Sequence, residues 1–320
     1  HAWIYSTNYL YKMDEFSSYF IRTRALFGNY PTQERVDCME QKGVRYFVNL
    51  TDPNEKMIEP YVVSPTSTKI DFTIADHSVP SNWFEFSKFI CMITQIIVTL
   101  PSQHFIYIHC RGGHGRAGVV VATLLSHIFQ VEPRIALGWT KRFHGQRPTM
   151  RERWRLIGSP QNFKQKNFVV RFFKPIILHR TNYKDSAICR GFCRFAAAAV
   201  ETRNGHFSTL EAAFLAAKFP SLREDCAKVA DTDIADFGRK LRKRKSEVAD
   251  WTTIRKQVLF DLTRLKLEQH PAIKQNLLST GMRPIKIMTR HSHQWPDKTG
   301  QNVTGDILVD VRKKFYQGTI

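Results

Sequence analysis

Cysteine is scarce: six residues in 320, at Cys38, Cys91, Cys110, Cys189, Cys193 and Cys226, too few and too scattered for a secreted disulfide framework. A reducing, intracellular (cytoplasmic) setting suits them. Cys189 and Cys193 lie close together but lack a second ligand pair at zinc-finger spacing, so no metal site is expected. No apolar run is long enough to cross a bilayer. The nearest, Phe89–Leu100, is broken by Thr94 and Gln95 and reads as a buried helix. There is no signal-peptide pattern, internal repeat or low-complexity tract. The first residue is His1 rather than Met, which suggests a processed product or a partial sequence. Acidic residues are also few, 28 against 48 Lys and Arg, for a net charge of +20. The excess favours anionic partners: nucleic acid, phosphorylated protein or an acidic assembly surface. A basic, soluble surface is the other reading.

What is present points to folded structure. Hydrophobic residues make up 42%, enough for real cores, and the length suggests two domains or one large one. Thr32–Lys42 has helical spacing and stops at Gly43; Val44–Thr51 reads as a strand. Lys69–Ile74 alternates like a second strand, and Asn82–Leu100 like an amphipathic helix. Phe105–His109 is a short apolar strand of the buried, parallel kind, followed by a glycine-rich loop and the apolar helix Ala117–Phe129. Helices are also expected at Pro133–Phe143 and Arg151–Leu156, and Lys164–Phe173 could close the domain. This order argues for an α/β sheet with parallel strands. Composition shifts around Phe173–Asp185. The second half is helix-rich, with Leu210–Phe219 and Trp251–Leu267 at helical spacing and Asp306–Arg312 alternating like a strand.

The loop carries the chemistry. His109–Gly118 reads HCRGGHGRAG: a cysteine, five residues, then an arginine, with three glycines between. Glycines let the backbone curl so that successive N–H groups form an anion nest. The helix starting near Arg116 adds its positive end, and the same field stabilises a thiolate at Cys110. Arg116 can hold two phosphate oxygens at once. The phosphate-binding residues are then Arg111, Gly112, Gly113, His114, Gly115 and Arg116, with His114 able to contact substrate and His109 orienting the loop. Cys110 would attack phosphorus, and Asp76, on the loop Ile74–Pro80, would protonate the leaving oxygen; Asp71 lies nearby, and a turn or cap role is the other reading of Asp76.

HCRGGHGRAG resembles the phosphate-binding loop of protein tyrosine phosphatases, more closely that of compact dual-specificity phosphatases, over residues 20–173. The resemblance implies that the Asp76 loop is the acid loop, and that a glutamine near the domain's end positions water. Gln165 is the better match by spacing, and Gln161 is the competitor. Ala117 stands where that family usually has Ser or Thr, whose hydroxyl eases departure of the thiolate.

In the second half, Gly191–Phe195, Phe207–Phe219, Leu277–Gly281, Trp295 and Gly300–Gly305 follow in an order that resembles the NADAR family, helical domains implicated in handling NAD-derived and ADP-ribosyl compounds. The resemblance implies an ADP-ribose-type ligand and site positions at Glu211, Lys218, Trp295 and Asn302. Ala212, Cys193–Arg194 and Pro296 depart from the family pattern, which favours a degenerate or repurposed domain. Arg239–Lys245 is a dense basic run, either a solvated helix face or a contact for RNA or an acidic partner.

The sequence therefore predicts an α/β cysteine-phosphatase fold with a central, mostly parallel sheet over residues 1–175, then a mainly α-helical NADAR-like domain over residues 186–320. The expected activity is removal of phosphate from protein Ser, Thr or Tyr, with no cofactor. The alternatives are an RNA 5′-phosphatase and a non-catalytic docking protein. The pairing of domains would suit a virus-encoded, particle-associated protein.

Overall fold

A computed structural model describes residues 13, 15–56, 58–179, 191–288 and 302–318. The contacts divide the chain into two units, His1–Phe173 and Lys174–Ile320.

The first unit runs β1 (Ser17–Ile21), β2 (Ala25–Gly28), α1 (Gln33–Gln41), β3 (Val44–Asn49), β4 (Thr68–Asp71), α2 (Trp83–Thr99), β5 (Phe105–His109), α3 (Arg116–Phe129), α4 (Pro133–His144), α5 (Glu152–Ile157) and α6 (Phe163–Phe172). Its sheet has the order β1-β2-β5-β3-β4. All neighbours are parallel except the β1–β2 hairpin. β5 lies at the centre, and Ile106, Tyr107, Ile108 and His109 are each 0% exposed. A strand covered on both faces must be apolar throughout, which is why this one shows no alternation. α3 is buried from Arg116 through Ser126, so it is apolar around its whole circumference. The loop between them is thus held at both ends by the most buried elements of the unit.

The β1–β2 hairpin has no glycine signal in the sequence. Thr23 takes the left-handed φ of +59° at its turn, a conformation Gly or Asn usually marks. α2 starts at Asn82, whose side chain accepts from the N–H groups of Phe84 and Glu85. Its inner face builds an aromatic cluster: Phe86 lies 5.1 Å from Phe172, 5.5 Å from Phe168 and 5.8 Å from Phe72, ring centre to ring centre. This cluster fixes α6 against α2.

The second unit runs β6 (Ile176–His179), β7 (Val200–Thr202), β8 (Gly205–Phe207), α7 (Leu210–Lys218), α8 (Arg223–Lys228), α9 (Ile234–Lys240), α10 (Trp251–Gln269), α11 (Pro271–Ser279), β9 (Ile285–Met288) and α12 (Val303–Gln317). β6 and β9 pair in parallel, and β7 and β8 form a hairpin. The expected strand Asp306–Arg312 is instead the middle of α12. Val303, Ile307, Leu308 and Val311 are buried in one core with Leu259 and Leu267 of α10. That spacing is helical, and packing overrides the strand preference of the β-branched residues. Among the described residues no helix is long and apolar enough to cross a membrane.

Phe86→Ala should cost the first unit about 3–5 kcal/mol of unfolding free energy, because it empties the centre of a closed cluster. Urea unfolding checks this; an unchanged midpoint would contradict the packing described.

Candidate active site

Residues 110–115 curl between β5 and α3, and their outer surface is pinned carbonyl by carbonyl. Leu50 N–H donates to His109 O and Tyr30 N–H to Arg111 O, both at 3.0 Å. The buried Arg147 donates to Gly113 O at 2.9 Å and to Phe27 O at 3.1 Å. Ser159 Oγ donates to His114 O. In a planar trans peptide the N–H points opposite the C=O, so the N–H groups of Cys110, Gly112, His114 and Gly115 turn to the inside of the curl. Gly113 is required here: its φ is +70°, and a Cβ would stand 2.3 Å from the Gly28 carbonyl carbon. Gly115 is the N-cap of α3 and brings no side chain to that helix end, whose N–H groups are suited to an anion.

Cys110 lies at the start of this curl, 3% exposed. Arg116, on the first turn of α3, is 2% exposed and its guanidinium is fixed from two sides. Nη1 and Nη2 donate to the two carboxylate oxygens of Glu55 at 2.7 and 2.9 Å, and Nη1 also donates to Ile74 O at 3.1 Å. Asp76 Oδ1 stands 3.0 Å from Nη2. Burial works against the Arg116 cation, but the Glu55 hydrogen bonds, with the Cys110 and Asp76 charges, more than offset it and move its pKa up. The sequence reading missed Glu55. A buried arginine needs a buried carboxylate, and Glu55, in the turn after β3, is the one supplied.

Asp76 and its neighbours are strapped to the start of α6. Gln161 Nε2 meets His77 Nδ1 at 2.6 Å, and Asn162 Nδ2 donates to His77 O at 3.0 Å. Gln165 Nε2 donates to Ser78 O and Lys164 Nζ to Ser78 Oγ, each at 3.1 Å. His77 holds a left-handed φ of +54° within this clasp. Gln165 and Gln161 both press on the curl: a Cβ at Gly115 would meet Gln165 Nε2 at 2.8 Å and Gln161 Cδ at 3.1 Å. Gln165 is fully buried, and among the described residues its Oε1 has no hydrogen-bond partner.

Two histidines stand behind the loop. His109 Nε2 meets Tyr61 Oη at 2.7 Å, and its ring stacks on Tyr107. Burial, then Lys69 and Arg35, hold its pKa well below 6.5. His114 departs from the expectation of substrate contact. Its ring stacks on Trp154 at 4.5 Å, and its Nδ1 meets His144 Nε2 at 2.7 Å. The side chain turns away because an aromatic pocket under α4 and α5 receives it; only its backbone N–H serves the curl.

In the second unit, Glu211 and Lys218 both lie on α7. Glu211 is 7% exposed and ion-paired with Arg194 at 2.6 Å. Lys218 Nζ lies 4.8 Å over the Phe219 ring, and burial, then Arg255, push its pKa down against the pull of Glu211. Asn302 precedes α12, and its amide donates to Ile285 O of β9. Trp295 and Cys189 lie outside the described residues. Buried Lys266, pushed down to about 8 by burial, donates to Cys193 O at 3.0 Å. No motif in the sequence marks that contact.

Burial first, then Arg147, lowers the pKa of His114 to about 4, and the same causes lower that of His144. In the unfolded chain both titrate near 6.5. Between these values the unfolded state binds more protons, so the stability these neutral rings carry is complete above pH 6.5 and is lost as pH falls toward 4. The urea midpoint of the first unit should therefore drop between pH 7 and 5, and His144→Phe should flatten that slope. A midpoint independent of pH would contradict the burial of a neutral pair.

Comparison with known proteins agrees with this division. A family model described as the Swiss Army Knife protein DSP-PTPase phosphatase domain (PTP-SAK) matches residues 15–168, and the NADAR domain model matches residues 181–316. "Putative tyrosine phosphatase 197R" of Invertebrate iridescent virus 6 is 31% identical over 293 residues, covering 92% of this chain and 89% of the relative. Protein 067L of Invertebrate iridescent virus 3, of the same description, is 36% identical over 163 residues, covering 51% of this chain and 67% of the relative. N-glycosidase YbiA of Escherichia coli (strain K12) is 28% identical over 134 residues, covering 39% of this chain and 80% of the relative. With the relationship to 197R extending over nearly both whole chains, the protein belongs to the family of these viral tyrosine-phosphatase-like proteins, carrying a PTP-SAK phosphatase domain followed by a NADAR domain.

Proposed function

We propose that the first unit is a cysteine-dependent phosphatase that removes phosphate from protein Ser, Thr or Tyr. The observation that carries this is the Arg116 guanidinium: Glu55 takes both terminal nitrogens and Asp76 shares Nη2, on the helix that follows the curl beginning with Cys110. A phosphoryl group settling on the curl's N–H groups would take the Nη2 contact from Asp76 and leave that carboxyl beside the bridging oxygen. The Cys110 sulfur then attacks phosphorus, the S–P bond forms and the P–O bond to the leaving group breaks. Asp76, carrying a proton once the substrate has taken its place at Nη2, gives it to that oxygen. In the second step water attacks the phosphorus and gives its proton to Asp76, and the S–P bond breaks. The Oε1 of Gln165, without a hydrogen-bond partner among the described residues, supports Gln165 over Gln161 as the residue that orients that water, since the Gln161 amide is taken by His77. Ala117, buried on α3, offers the departing thiolate no hydroxyl, so this second step is the slow one.

Cys110→Ser should abolish turnover, a loss of at least about 10³-fold, while phosphopeptide still binds. Asp76→Asn should slow alkyl phosphopeptides far more than an activated aryl phosphate. Unchanged turnover in the first variant, or equal losses on both substrates in the second, would contradict these roles. Faster release from 5′-triphosphorylated RNA than from any phosphopeptide would move the substrate class to RNA.

The second unit is read as a NADAR domain that binds rather than cleaves, because Arg194 neutralises Glu211 at 2.6 Å. The full chain should release no ribosyl product from ADP-ribosylated nucleic acid. Release that Glu211→Gln abolishes would contradict this.

A further inference from the structure

The segment carrying Asp76 continues through Val79 and Pro80 into α2, and these residues with Trp83 form one wall of an open groove of about 430 Å³. The other wall is a single face of α6, from Phe163 through Phe168 to Arg171. No step of the reaction above uses it. Its near end adjoins the reaction centre, since Asn162 and Lys164 bind the acid loop and Gln165 packs on Gly115. At that end Phe163 is 82% exposed, an aromatic ring held in solvent at an apolar rim. The far end carries the exposed Arg171.

The groove's length sets what it can read. Phe163 and Arg171 are eight residues apart, about 12 Å along a helix rising 1.5 Å per residue. An extended peptide advances roughly 3.3 Å per residue, so three or four residues span the same distance. The wall chemistry favours polypeptide over a nucleic-acid base. Trp83 packs edge-on against Phe168 at 5.7 Å and tilts against Phe172 at 5.5 Å, and Phe168 stacks on Phe172 at 5.6 Å. The faces of these three rings are largely spent on one another, which leaves Phe163 alone with an open face, whereas a strand of bases needs successive rings to stack on. Edges and an open apolar floor suit a side chain. Lys164 and Arg171 give the groove positive charge and no carboxylate lines it, so the complement is acidic.

We infer that this groove is a specificity subsite for the polypeptide around the phosphorylated residue: it takes an apolar side chain between Phe163 and Trp83 and, three or four positions further along, an acidic side chain at Arg171. The inference rests on the phosphatase reading and gives it a substrate preference.

The test pairs a small substrate, para-nitrophenyl phosphate, with phosphopeptides that carry an apolar residue next to the phosphorylated one and Glu, Ala or Lys three and four positions beyond that apolar residue, on either side. In one of those registers the Glu peptide should be preferred, and Arg171→Glu should lower its kcat/KM about 5- to 10-fold, mainly through KM. The same variant should gain on the matching Lys peptide. Phe163→Ala should weaken every peptide with an apolar residue in between. Neither variant should alter para-nitrophenyl phosphate. Peptide binding to the Cys110→Ser chain, with and without Arg171→Glu, is measured in parallel. No turnover of any substrate by the unsubstituted protein, with the Glu preference intact in binding, would overturn the phosphatase reading and leave the groove. Absence of a Glu preference in binding, no charge reversal with Arg171→Glu, or a loss confined to 5′-triphosphorylated RNA in Phe163→Ala would overturn the groove.

Discussion

The buried ion pair between Arg116 and Glu55 is the constraint on which the first unit's site depends. A guanidinium at 2% exposure cannot stand alone, since breaking such a pair leaves an uncompensated charge worth several kcal/mol. Glu55 does more than neutralise it. By taking both terminal nitrogens it fixes the plane of the guanidinium, with Asp76 alongside at Nη2. The curl is in turn set by carbonyls held from outside: that of His109 by Leu50, of Arg111 by Tyr30, of Gly113 by Arg147 and of His114 by Ser159. Little has to rearrange for an oxyanion to be bound, and that is where an enzyme of this kind gains most.

The acid loop and the groove share one support. The start of α6 supplies Gln161, Asn162, Lys164 and Gln165 to hold residues 77–78, and the following turns supply Phe163, Phe168 and Arg171 to the groove. α6 itself is anchored by Phe168 and Phe172 in the cluster around Phe86. A peptide lying along α6 would touch the helix that positions Asp76, so recognition and proton transfer are mechanically adjacent. In the second unit Arg194 occupies the carboxylate of Glu211 from within.

The parts legible in the sequence were those whose physics is local. The unbroken apolar run of β5, the glycines of the curl and the apolar α3 are consecutive, and their order alone implies an anion site. Glu55 was not legible, because its partner lies 61 residues away and only the pairing of β3 with β5 brings them together. His114 was placed in the loop, but sequence does not say which way a loop residue turns; the pocket of His144 and Trp154 decides that. The hairpin at Thr23 lacked turn residues, and Asp306–Arg312 satisfied two periodicities until its packing against α10 chose the helix. In the NADAR domain the departure at Arg194 was visible, while its contact with Glu211 needed the fold.

The central claim is that the Cys110 sulfur becomes bonded to phosphorus. Acid quench of the full chain within the first turnover of a phosphopeptide, followed by proteolysis and mass spectrometry, tests it most directly. The account predicts a phosphate adduct on the peptide containing Cys110 that accumulates because its hydrolysis is the slow step. Turnover with no adduct at any time, or an adduct on another residue, would contradict it.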